Sequence, residues 1–268
     1  KPPQCYWTCM IRIIITDIDG TLLDIHGDLA PGNAAALKEA AERGVRVALA
    51  SIRKRDSTAR VAQELGLPCT LVCDGGATIY DESGVQLRHL AVPLDLARAI
   101  GALVDEHRLP LVTTIDEINY YTPGSHPAAH IVTAGQDVAS ASEALVDAPT
   151  RLIVRGEMGV ALLMREFANA PLRFVRHYHT DGTLADAVIT HADATKESAL
   201  ATLCQDWGIA HADVLALGDA EADIGMLRLA GVGVAVGNAH PDVKAAADWV
   251  APSAGDGGLA AAVRRFVL

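Results

Sequence analysis

Asp17-Ile18-Asp19-Gly20-Thr21-Leu22-Leu23-Asp24 is the stretch on which the fold of this chain turns. Before it runs Met10-Ile11-Arg12-Ile13-Ile14-Ile15-Thr16, β-branched and almost wholly apolar. Such a run predicts a strand buried on both faces, as in a parallel sheet. Two carboxylates then stand at its carboxyl end, the place where open α/β sheets bind ligands. Gly20 lets the backbone turn sharply and present its amides. Three readings suit the pair Asp17 and Asp19. They can hold Mg²⁺, a hard cation that takes carboxylate and phosphate oxygens. One of them can attack phosphorus and form an aspartyl-phosphate. Or they are polar strand-end and cap residues, for which Asp is common.

Working outward, Pro31 to Arg43 predicts a helix closed by Gly44, and Val45 to Ala50 a second buried strand, so strand, helix and strand form a βαβ unit. Ser51 stands at that strand's carboxyl end. Its hydroxyl can bond a phosphate oxygen or simply cap the helix that follows. Asp56 to Leu65 reads as a helix, Thr70 to Cys73 as a strand, and Asp74-Gly75-Gly76 as a turn.

From Gly84 the pattern changes. Val85 to Val92 alternates like a strand with one exposed face, and Leu94 to His107 is an amphipathic helix. Leu111 to Ile115 and Ile118 to Tyr121 flank Asp116-Glu117 as a hairpin. Strands from Arg151, Leu172 and Leu184, with a helix from Glu157 to Asn169, complete a module of the α+β kind. On its strand, His177 is expected to share a face with His179. Val188 to Thr190 is expected to return the chain to the first sheet. The predicted class is therefore α/β, with a Rossmann-like parallel-sheet core over 1–83 and 188–268 and an inserted α+β module over 84–187.

Lys196 opens the next helix, where a cation is electrostatically misplaced unless it has another use. Asp213 to Leu217 predicts a core strand with Asp219 at its carboxyl end, and Asp223 follows one helical turn on. Those two can face one cation, or merely stabilise a helix start. Gly231-Val-Gly-Val-Ala-Val-Gly is spaced wrongly for a dinucleotide loop and brackets a strand.

Half of the 268 residues are hydrophobic, enough for a real core, and the net charge is −11. That balance argues against nucleic acid and anionic membrane, both of which ask for basic patches. No run reaches the roughly 18 consecutive apolar residues of a membrane span. The segment 1–9 lacks an apolar secretory core and reads as a leader, so a reducing, cytoplasmic setting is expected. Cys5 and Cys9 repeat the spacing of Cys69 and Cys73, which admits a four-thiolate zinc site; Cys69, Cys73 and Cys204 read better as small buried hydrophobes.

Asp17-Ile-Asp-Gly-Thr-Leu-Leu-Asp resembles the first motif of the haloacid-dehalogenase superfamily of phosphatases. Leu215-Ala-Leu-Gly-Asp-Ala-Glu-Ala-Asp-Ile-Gly-Met-Leu resembles its fourth, commonly G-D-x-x-N-D-x-x-M-L, and Gly231 to Ala239 with Val243-Lys-Ala-Ala-Ala-Asp resembles the tail of its Cof-type branch. The resemblance implies that 84–187 is a type-IIB cap and that the substrate is a small phosphorylated metabolite. It implies Asp17 as nucleophile and Asp19 as general acid and base. Ser51, Ile52 and Lys196 would hold the phosphoryl group. Mg²⁺ would be held by Asp17, the Asp19 carbonyl and Asp219, with Asp223 in support. The chain departs from the family pattern at Ile52, Asp74, Glu197 and Ala222. A phosphomutase on the same core, and a non-catalytic phosphate-binding protein with a worn site, are the alternatives. A weakened metal site is also expected, because Ala222 lacks the amide that would orient a carboxylate.

Overall fold

The computed structural model describes residues 10–30, 32–126, 135–179 and 181–268. Pro31, Cys5 and Cys9 lie outside them, and with them one end of the predicted first helix and half of the zinc possibility. The first strand, β1 (Ile13–Asp17), is followed by α1 (Asn33–Glu42), β2 (Arg46–Ala50), α2 (Arg55–Leu65), β3 (Thr70–Cys73), β4 (Thr78–Tyr80) and β5 (Gln86–His89). Then come α3 (Leu94–His107), β6 (Leu111–Ile115), β7 (Ile118–Tyr121), β8 (Gly135–Asp137), α4 (Ala141–Ala144), β9 (Arg151–Arg155), α5 (Glu157–Glu166), β10 (Leu172–Tyr178) and β11 (Leu184–His191). The chain closes with α6 (Lys196–Trp207), β12 (Val214–Gly218), α7 (Ile224–Leu229), β13 (Val232–Ala235), α8 (Pro241–Ala246), β14 (Trp249–Val250) and α9 (Gly258–Phe266).

The first sheet runs β14-β13-β12-β1-β2-β3-β4-β5, parallel from β14 to β3. Its strands are buried on both faces, as their apolar runs require. In β1, Ile14 packs with Leu37, Leu65 and Val263 from α1, α2 and α9, while Ile13 and Ile15 pack with Leu200, Met226 and Val243 from α6, α7 and α8. Helices thus cover both faces of a doubly wound α/β sheet. The chain leaves β1 toward β2 on one side and returns through β12 on the other. Such a reversal opens a crevice at the carboxyl ends of the two central strands. The fold class read from the sequence is what the structure has.

The chain divides into two compact units, Lys1–Leu87 with Thr195–Leu268, and Arg88–Ala194. The second carries its own sheet, β10-β11-β9-β6-β7-β8, and its own core of Leu111, Leu152, Val154 and Ile189 against α3 and α5. At the β6–β7 turn, Asp116 and Glu117 both take left-handed φ, 46° and 66°, the paired positive values of a tight hairpin. Two expectations change here. Val188 to Thr190 do not return to the first sheet: they continue β11, where Val188 and Ile189 pair with Ile153 and Leu152, and Thr190 with Arg173. Partners on both sides outweigh the sequence signal for a break. His177 and His179 do not lie on one strand: β10 ends at Tyr178, with its register shifted after His177, so the alternation that would align them stops. His177 bonds Asp186 through Nδ1 at 2.7 Å, while His179 is exposed.

Candidate active site

Asp17 is the last residue of β1, and its loop is braced from three sides. Gly20 takes φ 81°, and a Cβ there would run into the Asp219 carboxylate. The Thr21 hydroxyl, wholly buried, donates to Asp219 Oδ1 at 3.0 Å. Asn238 donates to the Gly20 carbonyl at 2.8 Å and accepts from the Ala254 amide at 2.8 Å. Thr21 and Asn238 are bracing residues that sequence reasoning missed. A buried hydroxyl in a tight loop, and a Gly-Asn turn just beyond a strand, were the signals available.

Lys196 begins α6, as read. Its misplacement at a helix start is offset by a capping box, in which Thr195 Oγ1 accepts from the Ser198 amide at 3.0 Å and Ser198 Oγ accepts from the Thr195 amide. The ammonium is 3% exposed. It pairs with Asp17 Oδ1 and, at 2.6 Å, with Asp223 Oδ1. The other oxygen of Asp223 accepts the backbone amides of Asp219 and Ala220, each at 3.0 Å. Asp223 therefore has both oxygens engaged from within the chain. Asp17, Asp219 and Asp223 offer oxygens that all lie within 4.8 Å of one another. One ammonium faces three carboxylates, so the cluster carries surplus negative charge in a donor set of hard oxygens. That chemistry fits Mg²⁺. Beside it opens a cavity of about 540 Å³ with Asp219, Glu221 and His240 in its wall.

Burial pushes the Asp17 carboxyl from its ordinary 3.8 to about 8; Asp223 adds to the push and Lys196 opposes it. Burial raises Asp219 as well, again with help from Asp223. Burial alone would lower Lys196, but Asp17 and Asp223 outweigh it and hold the ammonium charged. A carboxyl raised on folding binds protons that the unfolded chain releases, so stability falls as pH rises from 3.8 toward about 8. With divalent cations chelated, the wild-type Tm is expected to drop across that window more steeply than that of Asp17→Asn. Parallel slopes would remove Asp17 as the cause.

Asp19 points elsewhere. Its carboxylate accepts Arg53 Nε at 2.8 Å and Arg53 Nη2 at 2.5 Å. Ser51, at the carboxyl end of β2, is 1% exposed, and its Oγ accepts the Arg53 amide at 3.1 Å. An oxygen that accepts an amide keeps its own proton to donate. The structure thus brings Asp17, Lys196, Asp219 and Asp223 into one cluster, with the loops of Asp19 and Ser51 adjoining β1 and β2.

The departures now have surroundings. Asp74 takes φ 52°, a left-handed conformation that Asp tolerates as Asn does, and its amide donates to the Arg53 carbonyl at 2.9 Å. Glu197 lies against Gly225, where a Cβ would collide with its side chain, so the larger residue in α6 meets a missing one in α7. Nothing in the structure explains Ile52. Ala222 is compensated: Lys196, two amides and Thr21 orient Asp223 and Asp219 without a side chain at 222. The weakened metal site expected from Ala222 is accordingly revised. Ala222→Asn should leave the half-saturating Mg²⁺ within about twofold, against the 10–100-fold that a missing orienting partner commonly costs. A clear gain in Mg²⁺ affinity would reinstate the original expectation. Of the cysteines, Cys69, Cys73 and Cys204 are buried, and burial pushes the Cys69 thiol up to about 12; a thiol so held does not favour the thiolate a zinc site needs.

A family model described as haloacid dehalogenase-like hydrolase matches residues 14–263. The chain belongs to that family. An Arabidopsis thaliana relative named chloroplastic endoribonuclease YBEY is 26% identical over 94% of this chain, which spans only 46% of that protein. A Bacillus subtilis relative named 5-amino-6-(5-phospho-D-ribitylamino)uracil phosphatase is 25% identical, with 96% of each covered. Among solved structures, one described as a subclass IIB sugar phosphatase of this superfamily superposes with a TM-score of 0.79 at 20% identity, covering 95% of this chain and 98% of that one. The likeness in structure supports the fold of the hydrolase family. Among the described residues, no helix is long and apolar enough to cross a membrane.

Proposed function

We propose that this haloacid dehalogenase-like hydrolase cleaves small phosphate monoesters through a covalent intermediate on Asp17. The observation that carries the reading is the Asp17 carboxylate at the end of β1, seized by the buried Lys196 and facing Asp219 and Asp223. An Asp17 oxygen attacks phosphorus. The ester P–O bond breaks, and its electron pair goes to the leaving oxygen, which takes a proton from Asp19. Water then attacks the same phosphorus and returns a proton to Asp19; the bond to Asp17 breaks and its electron pair restores the carboxylate. Lys196 keeps Asp17 in line and neutralises charge near the phosphoryl oxygens. Ser51 donates its hydroxyl to one of those oxygens, with the Ile52 amide beside it at the entrance to α2.

Asp17, Asp219 and the Asp19 carbonyl would hold Mg²⁺, with Asp223 behind them orienting Asp219's loop and Lys196. When bound, Mg²⁺ supplies charge neutralisation for phosphoryl transfer. Arg88–Ala194 is the type-IIB cap in this reading. The substrate class is a small phosphorylated metabolite, in keeping with the names of the phosphatase relative and the sugar phosphatase; a cytoplasmic setting is part of the same reading.

Phosphate release from a broad panel of phosphate monoesters, with and without Mg²⁺, tests the reading. Release that requires Mg²⁺ is expected, and no release from any ester would sink it. Asp19→Asn is expected to lower turnover by roughly 10²–10⁴-fold, the range of a lost general acid–base. A variant within a fewfold of wild type on alkyl esters would take that role from Asp19.

A further inference from the structure

Arg53 is the one group that grips the carboxylate of Asp19, through both oxygens, among the hydrogen bonds and ion pairs of the described residues. The grip is lopsided: Asp19's side chain is 54% exposed, Arg53's 29%. An exposed carboxylate left to itself samples several rotamers. A planar guanidinium that donates two parallel bonds fixes both its position and its plane.

The guanidinium is itself held by a fastened loop. The Arg53 amide donates to Ser51 Oγ at 3.1 Å, and the Arg53 carbonyl accepts from the Asp74 amide at 2.9 Å. The Gly75 amide donates to the Ser51 carbonyl, and the Ser51 amide to the Val72 carbonyl, each at 2.9 Å. The segment between β2 and α2 is thereby clipped to the end of β3 and the turn after it. Asp74 makes its bond from a left-handed conformation, φ 52°, which ties a sequence departure to this clip. The loop that carries Asp19 is separately braced through Gly20 by Asn238. Both partners of the grip thus stand on fixed backbone.

Resting on the phosphatase reading above, we propose that Arg53 is the positioning residue of Asp19. It aims the carboxyl group at the leaving oxygen, and then at the attacking water. One of its two bonds gives way to the reacting oxygen while the other keeps the carboxyl group in place. The proton moves between Asp19 and that oxygen; Arg53 exchanges none. Because its donors face Asp19, Arg53 is not assigned to the phosphoryl group.

The test uses the full chain with Mg²⁺ and a series of substituted phenyl phosphates that differ in leaving-group basicity. For each, kcat/KM reports the step in which the leaving oxygen needs its proton. For Arg53→Gln, kcat/KM should fall on the order of 10–10²-fold for the most basic leaving groups and far less for p-nitrophenyl phosphate. The dependence on leaving-group basicity should steepen accordingly. Arg53→Lys, with one point donor in place of a fork, should steepen it less, and added ethylguanidinium should partly restore Arg53→Ala but not Asp19→Ala. A loss of equal size across the series would mean that Arg53 binds the phosphoryl group or only supports the loop, and would overturn the proposal. An unchanged series would overturn it too. A wild type that releases no phosphate from any member would instead strike the phosphatase reading beneath it.

Discussion

Asp17→Asn is expected to lower kcat by on the order of 10⁴–10⁶-fold, as removal of a nucleophile does in a hydrolase where the residues act as a unit. An amide is a poor nucleophile for phosphorus and a poor ligand for a hard cation. The loss should come without unfolding. Asp17 is 7% exposed and its carboxyl is pushed up to about 8 by burial, so an uncharged side chain of the same size relieves a strained group. Lys196 keeps Asp223 as partner. Near pH 8, with cations chelated, Asp17→Asn should therefore melt no lower than wild type. Initial rates with a sensitive phosphate assay, beside a thermal melt, check both halves. More than a few per cent of wild-type turnover would mean that Asp17 is not the nucleophile.

Lys196→Met is the second large effect, and here activity and stability should fall together. The side chain is buried with two carboxylates, one of them, Asp223, fully inaccessible. Methionine fills much of the volume but leaves Asp17 and Asp223 facing each other without a cation. Breaking a buried ion pair by removing one partner costs about 3–5 kcal/mol. Protonation of Asp17 would offset part of that, so the destabilisation should shrink as pH falls below about 8. Chemical denaturation at pH 6 and pH 9 measures it. A variant as stable as wild type at pH 9 would show that the lysine is not the cation that holds these acids together.

The order of elements in the first unit was legible because each core strand is an unbroken apolar run with its chemistry at the carboxyl end. Ile13-Ile14-Ile15 is buried on both sides, as a strand inside a parallel sheet is. The hairpin at Asp116-Glu117 was legible for a local reason too, the turn residues lying between two short runs of β-branched and aromatic residues. β8 and α4 were not. Gly135–Asp137 is exposed throughout and carries no alternation, and Ala141–Ala144 is shorter than a helix that holds itself together. Their existence depends on neighbours, Tyr120 for β8 and α3 for α4. The end of β11 is illegible for the same kind of reason: only its two partner strands show that it continues past Val188.

Within the site, the residue types were legible and their pairings were not. Asp17, Lys196, Asp219 and Asp223 stand at strand and helix ends that the pattern locates. That Asp223 spends both oxygens on Lys196 and on two amides depends on a contact between residues 27 apart and on the shape of a short turn. The grip of Arg53 on Asp19 spans 34 residues, and nothing in either local sequence points to the other. Ala222 is the opposite case: local sequence shows a missing side chain, and the groups that orient Asp223 are Lys196 and two backbone amides.

The central claim is that phosphorus passes through Asp17. Its most direct test is a single turnover of Asp19→Asn with ³²P-labelled p-nitrophenyl phosphate, whose good leaving group needs little help with its proton. The reaction is quenched in acid, digested and mapped. The account predicts an acid-stable, hydroxylamine-labile label on the peptide that carries Asp17, formed in a burst and decaying slowly. Label on the peptide that carries Ser51, or release of phosphate with no covalent species at any time, would contradict it.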